Sequence, residues 1–311
     1  MTSVVVCTFN RCESLRDTLS SLGEQILKEG LELEIIVVDN NSSDRTPQVV
    51  EEAAKDSPWP MRYVFEKTQG LSHARNRGIR ESHGEFLAFT DDDVLPDRGW
   101  VQALYEAFID HSADCAGGKI LPKWTESPPD WCLAEEVRAQ LWAVLALLDR
   151  GEEMLVAETL NGSFLFGANM AFRKSVFEEV GFFNPALGRS GENLFSGDDT
   201  EMLRRALMSR KRVVYSPQAI VYHKVSPERL HIGYLRRWKF NVGLTSARIH
   251  PQPSRLVPAW LMRECLSNGL GACAAYVRGS RFMGIARELA FWSQAGRIVA
   301  TISPRVKTNK E

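Results

Sequence analysis

Four times in about the first 110 residues, a short apolar run gives way to a segment with apolar residues at helical spacing, and this alternation constrains the chain more than any other feature. The apolar runs are Ser3–Phe9, Glu34–Asp39, Tyr63–Phe65 and Glu85–Thr90. Between them, Leu15, Leu19, Leu22 and Ile26 mark an amphipathic helix over Glu13–Leu27. Gln48–Lys55 reads as a second helix, with Ser43 or Asp44 able to cap it and Pro47 suited to its first turn. Ala74–Arg80 reads as a basic helix and Trp100–His111 as a fourth. Near-continuous β-branched strands separated by helices predict βαβ units and a mixed, largely parallel sheet flanked by helices. In open sheets of this kind ligands bind at the carboxyl ends of the strands, near the point where strand order reverses. Thr8, Asp39 and Asp91 lie at such ends.

The fourth strand ends abruptly in Asp91, Asp92 and Asp93. Adjacent carboxylates repel and resist burial without a counter-charge, and a divalent cation is the usual one. On an extended chain Asp91 and Asp93 would point to one face and Asp92 to the other. Hard oxygen ligands favour Mg²⁺ or Mn²⁺ over zinc, and such ions bridge protein to phosphate. The alternative is a solvated Asp turn that closes the strand. Two glycine fingerprints are missing: there is no GxxxxGK[ST], and no GxGxxG follows the first strand, which argues against P-loop and dinucleotide enzymes.

Composition narrows the rest. With a net charge of -1 nothing global favours nucleic acid. The six cysteines show no CxxC spacing, which points to reduced thiols, a cytoplasmic location and no zinc site. No charged n-region leads into an apolar one at the N-terminus, so a signal peptide is not expected. No uncharged apolar run reaches the 18 or so residues of a spanning helix.

Beyond residue 112 the pattern changes. Gly117–Ile120 suggests a strand, Trp124–Trp131 a loop, and Leu133–Leu148 a helix. Leu160–Ala171 is small and apolar, with Gly162 and Gly167 permitting close backbone approach; Lys174–Val180 reads as a helix stopped by Gly181. Asp198 and Asp199 then open a helix that continues through Met202, Leu203, Ala206 and Leu207. Acidic residues there can cap the helix or do chemistry. Val213–Tyr215 reads as a last strand and Ile220–His223 as extended chain; His223 is a packed imidazole or, beside a carboxylate-bound cation, a ligand.

These segments, taken together and in this order, resemble the family 2 inverting glycosyltransferases of GT-A fold. The resemblance rests on VVVCTFNR, VVDNNSSDRT ending at Thr46, GLSHARNRGI at 70–79, FTDDDV at 89–94 and GDDTEMLRRA at 197–206, spanning residues 3 to 223. It implies a metal-dependent transfer from a nucleotide-diphosphate sugar, UDP-linked as is usual in the family, to the hydroxyl of a sugar or lipid-linked acceptor, as in polysaccharide or glycolipid synthesis. Carried over by position, Thr8 and Asp39 would meet the base and ribose, and Arg75 would help hold the nucleotide. Asp91 would lie towards ribose and sugar, with Asn10, Arg11, Asn41 and Asp92 also at the nucleotide-sugar site. Asp93 and His223 would hold Mg²⁺ or Mn²⁺, Asp199 would be the general base, and Asp198 would meet the acceptor. The chain departs from the family pattern twice: the usual Glu-Asp pair is Asp198-Asp199, and the QxxRW segment of processive synthases is only echoed by Tyr234–Trp238, which points away from processivity.

A sugar-nucleotide nucleotidyltransferase on a related sheet is the rival enzyme, but it needs a glycine- and arginine-rich loop after the first strand, which Thr8–Cys12 is not. A catalytically inactive binding module is the non-enzymatic rival, and the retained carboxylates argue against it. The motif match ends near residue 225, so 1–225 is expected to be the transferase domain and 226–311 a helical extension. Leu230–Arg248 and Leu256–Ile302 look helical, with Arg236, Arg237, Arg263, Arg287 and Arg297 among Leu, Trp and Phe, and Lys307 and Lys310 near the end. That pattern suits either an accessory subdomain shaping the acceptor site or a peripheral contact with the cytoplasmic face of a membrane.

Overall fold

The β-branched runs become strands buried on both faces, as parallel strands must be when helices cover them. In the computed structural model, which describes residues 1–157, 164–189, 197–249 and 256–303, β1 (Thr2–Thr8) and β2 (Leu33–Asp39) are buried along their whole length. β2 pairs in parallel with β3 (Met61–Phe65), and β1 pairs in parallel with β2 on one side and β4 (Phe86–Asp91) on the other. The register sets Thr8 against Asp39 and Cys7 against Asp91, so three strands end at one edge.

Beyond β4 the direction changes. β8 (Met170–Arg173) runs antiparallel to β4 and to β6 (Cys115–Trp124); β9 (Val213–Val225) follows and pairs antiparallel with β5 (Val94–Pro96) and β7 (Leu155–Val156). The sheet is mixed, with its parallel part in the β3-β2-β1-β4 half. The two extended segments expected at 213–215 and 220–223 are one strand.

The connecting helices form where the spacing places them. α1 (Cys12–Gly23) buries Leu15, Leu19 and Leu22 and packs on α2 (Thr46–Asp56), whose first turn holds Pro47. Asp44 lies two residues before α2 and accepts from the Thr46 and Cys12 backbone amides, so it serves the first turns of both helices. α1 stops at Gly23, four residues short of the expected end, and Ile26 is exposed. The reason is tertiary: the Gln25 amide donates to the Asp97 carbonyl and accepts from the Val101 amide, while the Ile26 amide donates to the Arg98 carbonyl. α3 (Leu71–Glu81) lies on β1 and β2 through Gly78, where a Cβ would run into Val5.

α4 (Trp100–Ile109) seats Trp100, fully buried, with its indole N–H on the Asn169 amide oxygen at 2.8 Å; the Asn169 amide in turn donates to the Lys119 and Ala219 carbonyls. Phe89, Phe172, Phe177 and Phe183 pack edge to face or tilted beside β4 and β8. α6 (Lys174–Val180) ends at Gly181, φ +80°, as its sequence predicts. α7 (Asp198–Met208) begins at the acidic pair.

The chain divides into two units. The first takes residues within 1–123, 147–192 and 198–224 and holds the sheet. The second takes 124–146 and the helices beyond 225. Within it α5 (Glu135–Val144), α8 (Ile232–Ile249) and α9 (Ala259–Val277) pack with α10 (Arg281–Ile302). Glycines set the approach of α8 and α10: a Cβ on Gly296 would meet the Phe240 carbonyl. Two expected helices are shorter than their apolar patterns. α5 ends at Val144 and Leu148 instead exchanges backbone hydrogen bonds with Ile120. Leu256–Ile302 is broken between α9 and α10 by Gly279, φ +75°. The glycine at 162, the stretch 191–196, Arg255 and the basic end at Arg305, Lys307 and Lys310 lie outside the described residues.

Candidate active site

At the edge where β1, β2 and β4 end, each strand contributes a polar side chain, and loop bonds hold each in place. Thr8 is buried and its hydroxyl donates to Asp92 Oδ2 at 2.8 Å. Asp39 is also buried; Oδ1 accepts from the Ser42 amide and Oδ2 from the Tyr63 hydroxyl, both at 2.8 Å. Burial and the adjacent Asp39 push the Tyr63 phenol above its ordinary value, so it stays a donor. Asn10 and Asn41 both take left-handed backbone, φ +51° and +69°, which Asn tolerates better than most residues. Asn10 Oδ1 accepts from the Ser43 amide and ties the β1 loop to the β2 loop. Asn40, next to Asp39, bonds the Glu66 and Thr68 carbonyls and accepts from the Gly70 amide, which fixes the approach to α3.

The three carboxylates do not alternate as on an extended chain. β4 ends at Asp91, residues 92–93 form a turn, and β5 begins at Val94. Asp92 and Asp93 therefore share one partner, Arg11, whose Nη1 is 3.2 Å from Asp92 Oδ1 and 2.8 Å from Asp93 Oδ2. Asp91 takes the other direction and keeps about a third of its side chain exposed, 34%. The expected pairing of Asp91 with Asp93 on one face is thus replaced by Asp92 with Asp93. A hydrogen bond from Thr18 to the Asp92 carbonyl and one from the Lys224 amide to the Asp93 carbonyl hold the turn. Burial, opposed by Arg11, raises the Asp92 carboxyl to about 6.

β5 pairs with β9 so that Val94 faces His223, and this register brings His223 Nε2 to 3.2 Å from Asp93 Oδ1. Ligands in adjacent positions at about 2.1 Å from an octahedral ion are roughly 3.0 Å apart, so this spacing suits two such ligands. A carboxylate with an imidazole nitrogen suits Mn²⁺ better than Mg²⁺. Among the described residues no three His, Cys, Asp or Glu side chains converge into a closed cage.

The second acidic pair is joined to Asp91, at the end of β4, through Arg75. This side chain from α3 is only 4% exposed; its Nη1 lies 2.5 Å from Asp198 Oδ2, its Nη2 lies 3.7 Å from Asp91 Oδ1, and its guanidinium covers the Phe183 ring at 5.5 Å. Ser72, one turn earlier on α3, adds a longer bond to Asp198. Asp198 is buried in this pair, whereas Asp199 is partly exposed. Asp199 Oδ2 accepts from the Gly167 amide at 2.9 Å and Oδ1 from the Thr200 amide at 2.6 Å, so α7's own N-terminus and one glycine orient it. Gly167 is required twice over, because a Cβ there would run into the Arg75 guanidinium. Burial and the negative charge of Asp198 raise the Asp199 carboxyl above its usual range, and Arg75 with the two amides pulls it back.

A carboxylate turn facing an imidazole, a buried arginine and a poised second carboxylate thus lie at the carboxyl end of a parallel sheet. The sequence model described as Glycosyl transferase family 2 matches residues 3–181, more than half of the chain. The chain belongs to glycosyl transferase family 2.

It is a glycosyltransferase of GT-A fold. A glucosyl-dolichyl phosphate glucuronosyltransferase of Haloferax volcanii is 28% identical over 237 residues, 75% of this chain and 72% of that protein. The succinoglycan biosynthesis protein ExoM of Rhizobium meliloti is 27% identical over 259 residues, 82% of this chain and 77% of its own length. Among solved structures, the mannosyltransferase PcManGT of Pyrobaculum calidifontis, in complex with GDP-Man and Mn²⁺, aligns with a TM-score of 0.61 at 20% identity, covering 96% of this chain and 85% of that one. That likeness shows the fold.

For this family 2 chain, the motif segments locate the residues that the fold gathers, but not their partners. Tyr63, on Asp39, and Phe183, under Arg75, lie outside those segments, while Ser72 stands inside GLSHARNRGI without its bond to Asp198 being legible there. Asn40 stands inside the VVDNNSSDRT segment, where its role in fixing the α3 approach is invisible without the Gly70 contact.

Proposed function

We propose that this glycosyltransferase moves a sugar from a UDP-linked donor to a hydroxyl acceptor, with inversion at the anomeric carbon and with Asp199 as general base. The observation that carries the reading is the Arg75 bridge, which ties the strand-end carboxylate Asp91 to the Asp198-Asp199 pair in one network. Inversion requires one carboxylate to take the proton of the attacking hydroxyl, and no second carboxylate needs to act as nucleophile. Asp199 suits this role because the Gly167 and Thr200 amides hold its carboxylate in place, and its raised proton affinity makes it a stronger base than a surface aspartate. Asp198, already committed to Arg75, raises the proton affinity of Asp199 through its charge.

The donor nucleotide is assigned to the crevice beside Thr8, Asp39 and Asn41, and the diphosphate to the Arg11, Asp92 and Asp93 turn. Asp93 and His223 would hold Mn²⁺ or Mg²⁺, which when bound neutralises charge on the departing diphosphate. Arg11, a guanidinium beside that turn, adds fixed positive charge where the diphosphate leaves. A role in building a cell-surface polysaccharide or glycolipid is supported by the names of the relatives, and the acceptor on this reading is a sugar or lipid-linked hydroxyl.

Nucleotide release from UDP-, GDP- and dTDP-sugars, with product configuration read by NMR, tests the proposal. Asp199→Asn should lower turnover by about 10²- to 10⁴-fold with the fold intact. Unchanged turnover in that variant, or a product with retained configuration, removes Asp199 as the base.

A further inference from the structure

The helix α9 has two apolar faces. Leu261, Cys265, Ala272 and Ala275 face inward and are buried. On the opposite side Met262, Leu266, Leu270, Cys273 and Val277 recur at intervals of three or four residues and stay exposed, Leu266 at 60%, Leu270 at 71% and Val277 at 88%. Steps of this size keep them on one stripe of the helix. An apolar stripe of this length on a water-exposed surface marks a contact.

The charges around the stripe identify what it meets. Between Glu264 and Arg278 the helix carries no charged residue, and exposed arginines bracket this stretch, Arg263 at one end and Arg278 with Arg281 at the other. Glu264, the one acid on α9, accepts a hydrogen bond from Gln294. A second copy is disfavoured as the partner. Paired parallel, Arg278 and Arg281 would face the same two cations of the other copy; paired antiparallel, each end would gather Arg263, Arg278 and Arg281 against the single carboxylate of Glu264, an excess of positive charge in either case. A layer of anionic headgroups over an apolar interior matches both the stripe and its cationic ends. The helix is roughly 28 Å long at 1.5 Å per residue, yet among the described residues no helix is long and apolar enough to cross a membrane. A helix of this kind would lie along a bilayer surface rather than cross it.

We propose that α9 is a docking face for an anionic lipid surface, with Leu266, Leu270 and Val277 entering the acyl boundary and Arg263, Arg278 and Arg281 on headgroup phosphates. The inference is independent of the transfer reaction, because vesicle binding uses none of the acidic site.

Co-sedimentation of the full chain with phosphatidylcholine vesicles, with and without phosphatidylglycerol, tests it. Wild type should pellet with the anionic vesicles, and Asp199→Asn equally, whatever becomes of its activity. Leu266→Glu/Leu270→Glu alters exposed positions only, should keep its circular dichroism, and should lose more than tenfold in partitioning. Arg263→Gln/Arg278→Gln/Arg281→Gln should lose about a hundredfold on anionic vesicles, at roughly fivefold per cation, and little on neutral ones. Equal pelleting of the leucine variant and wild type, or no pelleting of wild type, overturns the proposal. So does a two-copy mass by light scattering that the leucine variant reduces to one, which would assign the face to self-association.

Discussion

Arg75 is where the fold and the chemistry meet, and Arg75→Met is the most informative single change. The side chain is 4% exposed and pairs with an Asp198 side chain that is 5% exposed, so the substitution leaves a carboxylate buried with no cation against it. Removing one partner of a buried pair costs about 3–5 kcal/mol, and loss of the guanidinium stacked over Phe183 falls within that range. Asp198→Asn removes the other partner and should also destabilise. The double variant Arg75→Met/Asp198→Asn should be more stable than the sum predicts, by a coupling of roughly 2–3 kcal/mol. Urea unfolding at pH 7, compared at constant slope, reads all three.

The same pair should move the pH profile in opposite directions. The cation at Arg75 favours the ionised form of Asp199, and the neighbouring Asp198 disfavours it. A general base works only when ionised, so activity falls as pH drops through its pKa. Arg75→Met raises that pKa and should shift the acid limb of kcat/KM to higher pH. Asp198→Asn lowers it and should shift the limb to lower pH. Additive stabilities together with unmoved limbs would refute the electrostatic account of this bridge.

Gly167→Ala should cost about 1–3 kcal/mol, since its Cβ would meet Arg75, and should lower turnover further by displacing the amide that orients Asp199. Wild-type melting temperature and turnover in this variant would rule the crowding out. On the proposal that His223 and Asp93, 3.2 Å apart, hold the cation together, His223→Ala should raise the Mn²⁺ concentration needed for half-maximal nucleotide release at least tenfold. An unchanged titration would remove His223 from the metal site.

The bonding of Asp39 also bears on how the donor would be held. Both carboxylate oxygens are occupied by the Ser42 amide and the Tyr63 hydroxyl, so its position is set before any ligand arrives. Asn10 and Asn41, in left-handed turns just beyond the ends of β1 and β2, are exposed at the same edge of the sheet. On the proposed reading, a carboxylate fixed in advance beside exposed polar side chains would hold a base and ribose at little entropic cost.

The amino-acid sequence by itself determined the elements and the order of the first four parallel-forming segments, because burial on both faces demands unbroken apolar runs and one-sided helices need apolar residues three or four apart. It also singled out the candidate carboxylates, Arg75 and His223, because consecutive acids close an apolar strand and open a helix, and the others stand in short polar segments beside buried ones. Only the tertiary structure decided which charges meet. Asp198 lies 123 residues from Arg75, and no local pattern carries that distance. The turn at Asp92 and Asp93, which sends both to Arg11, depends on β5 pairing with β9, more than 120 residues later in the chain. Helix ends were decided there as well: Gln25 left α1 because Asp97 and Val101 offered its amide partners that one further helical turn could not. Periodicity reports each segment's need for burial, whereas pairing and termination are set by whatever the rest of the chain brings alongside.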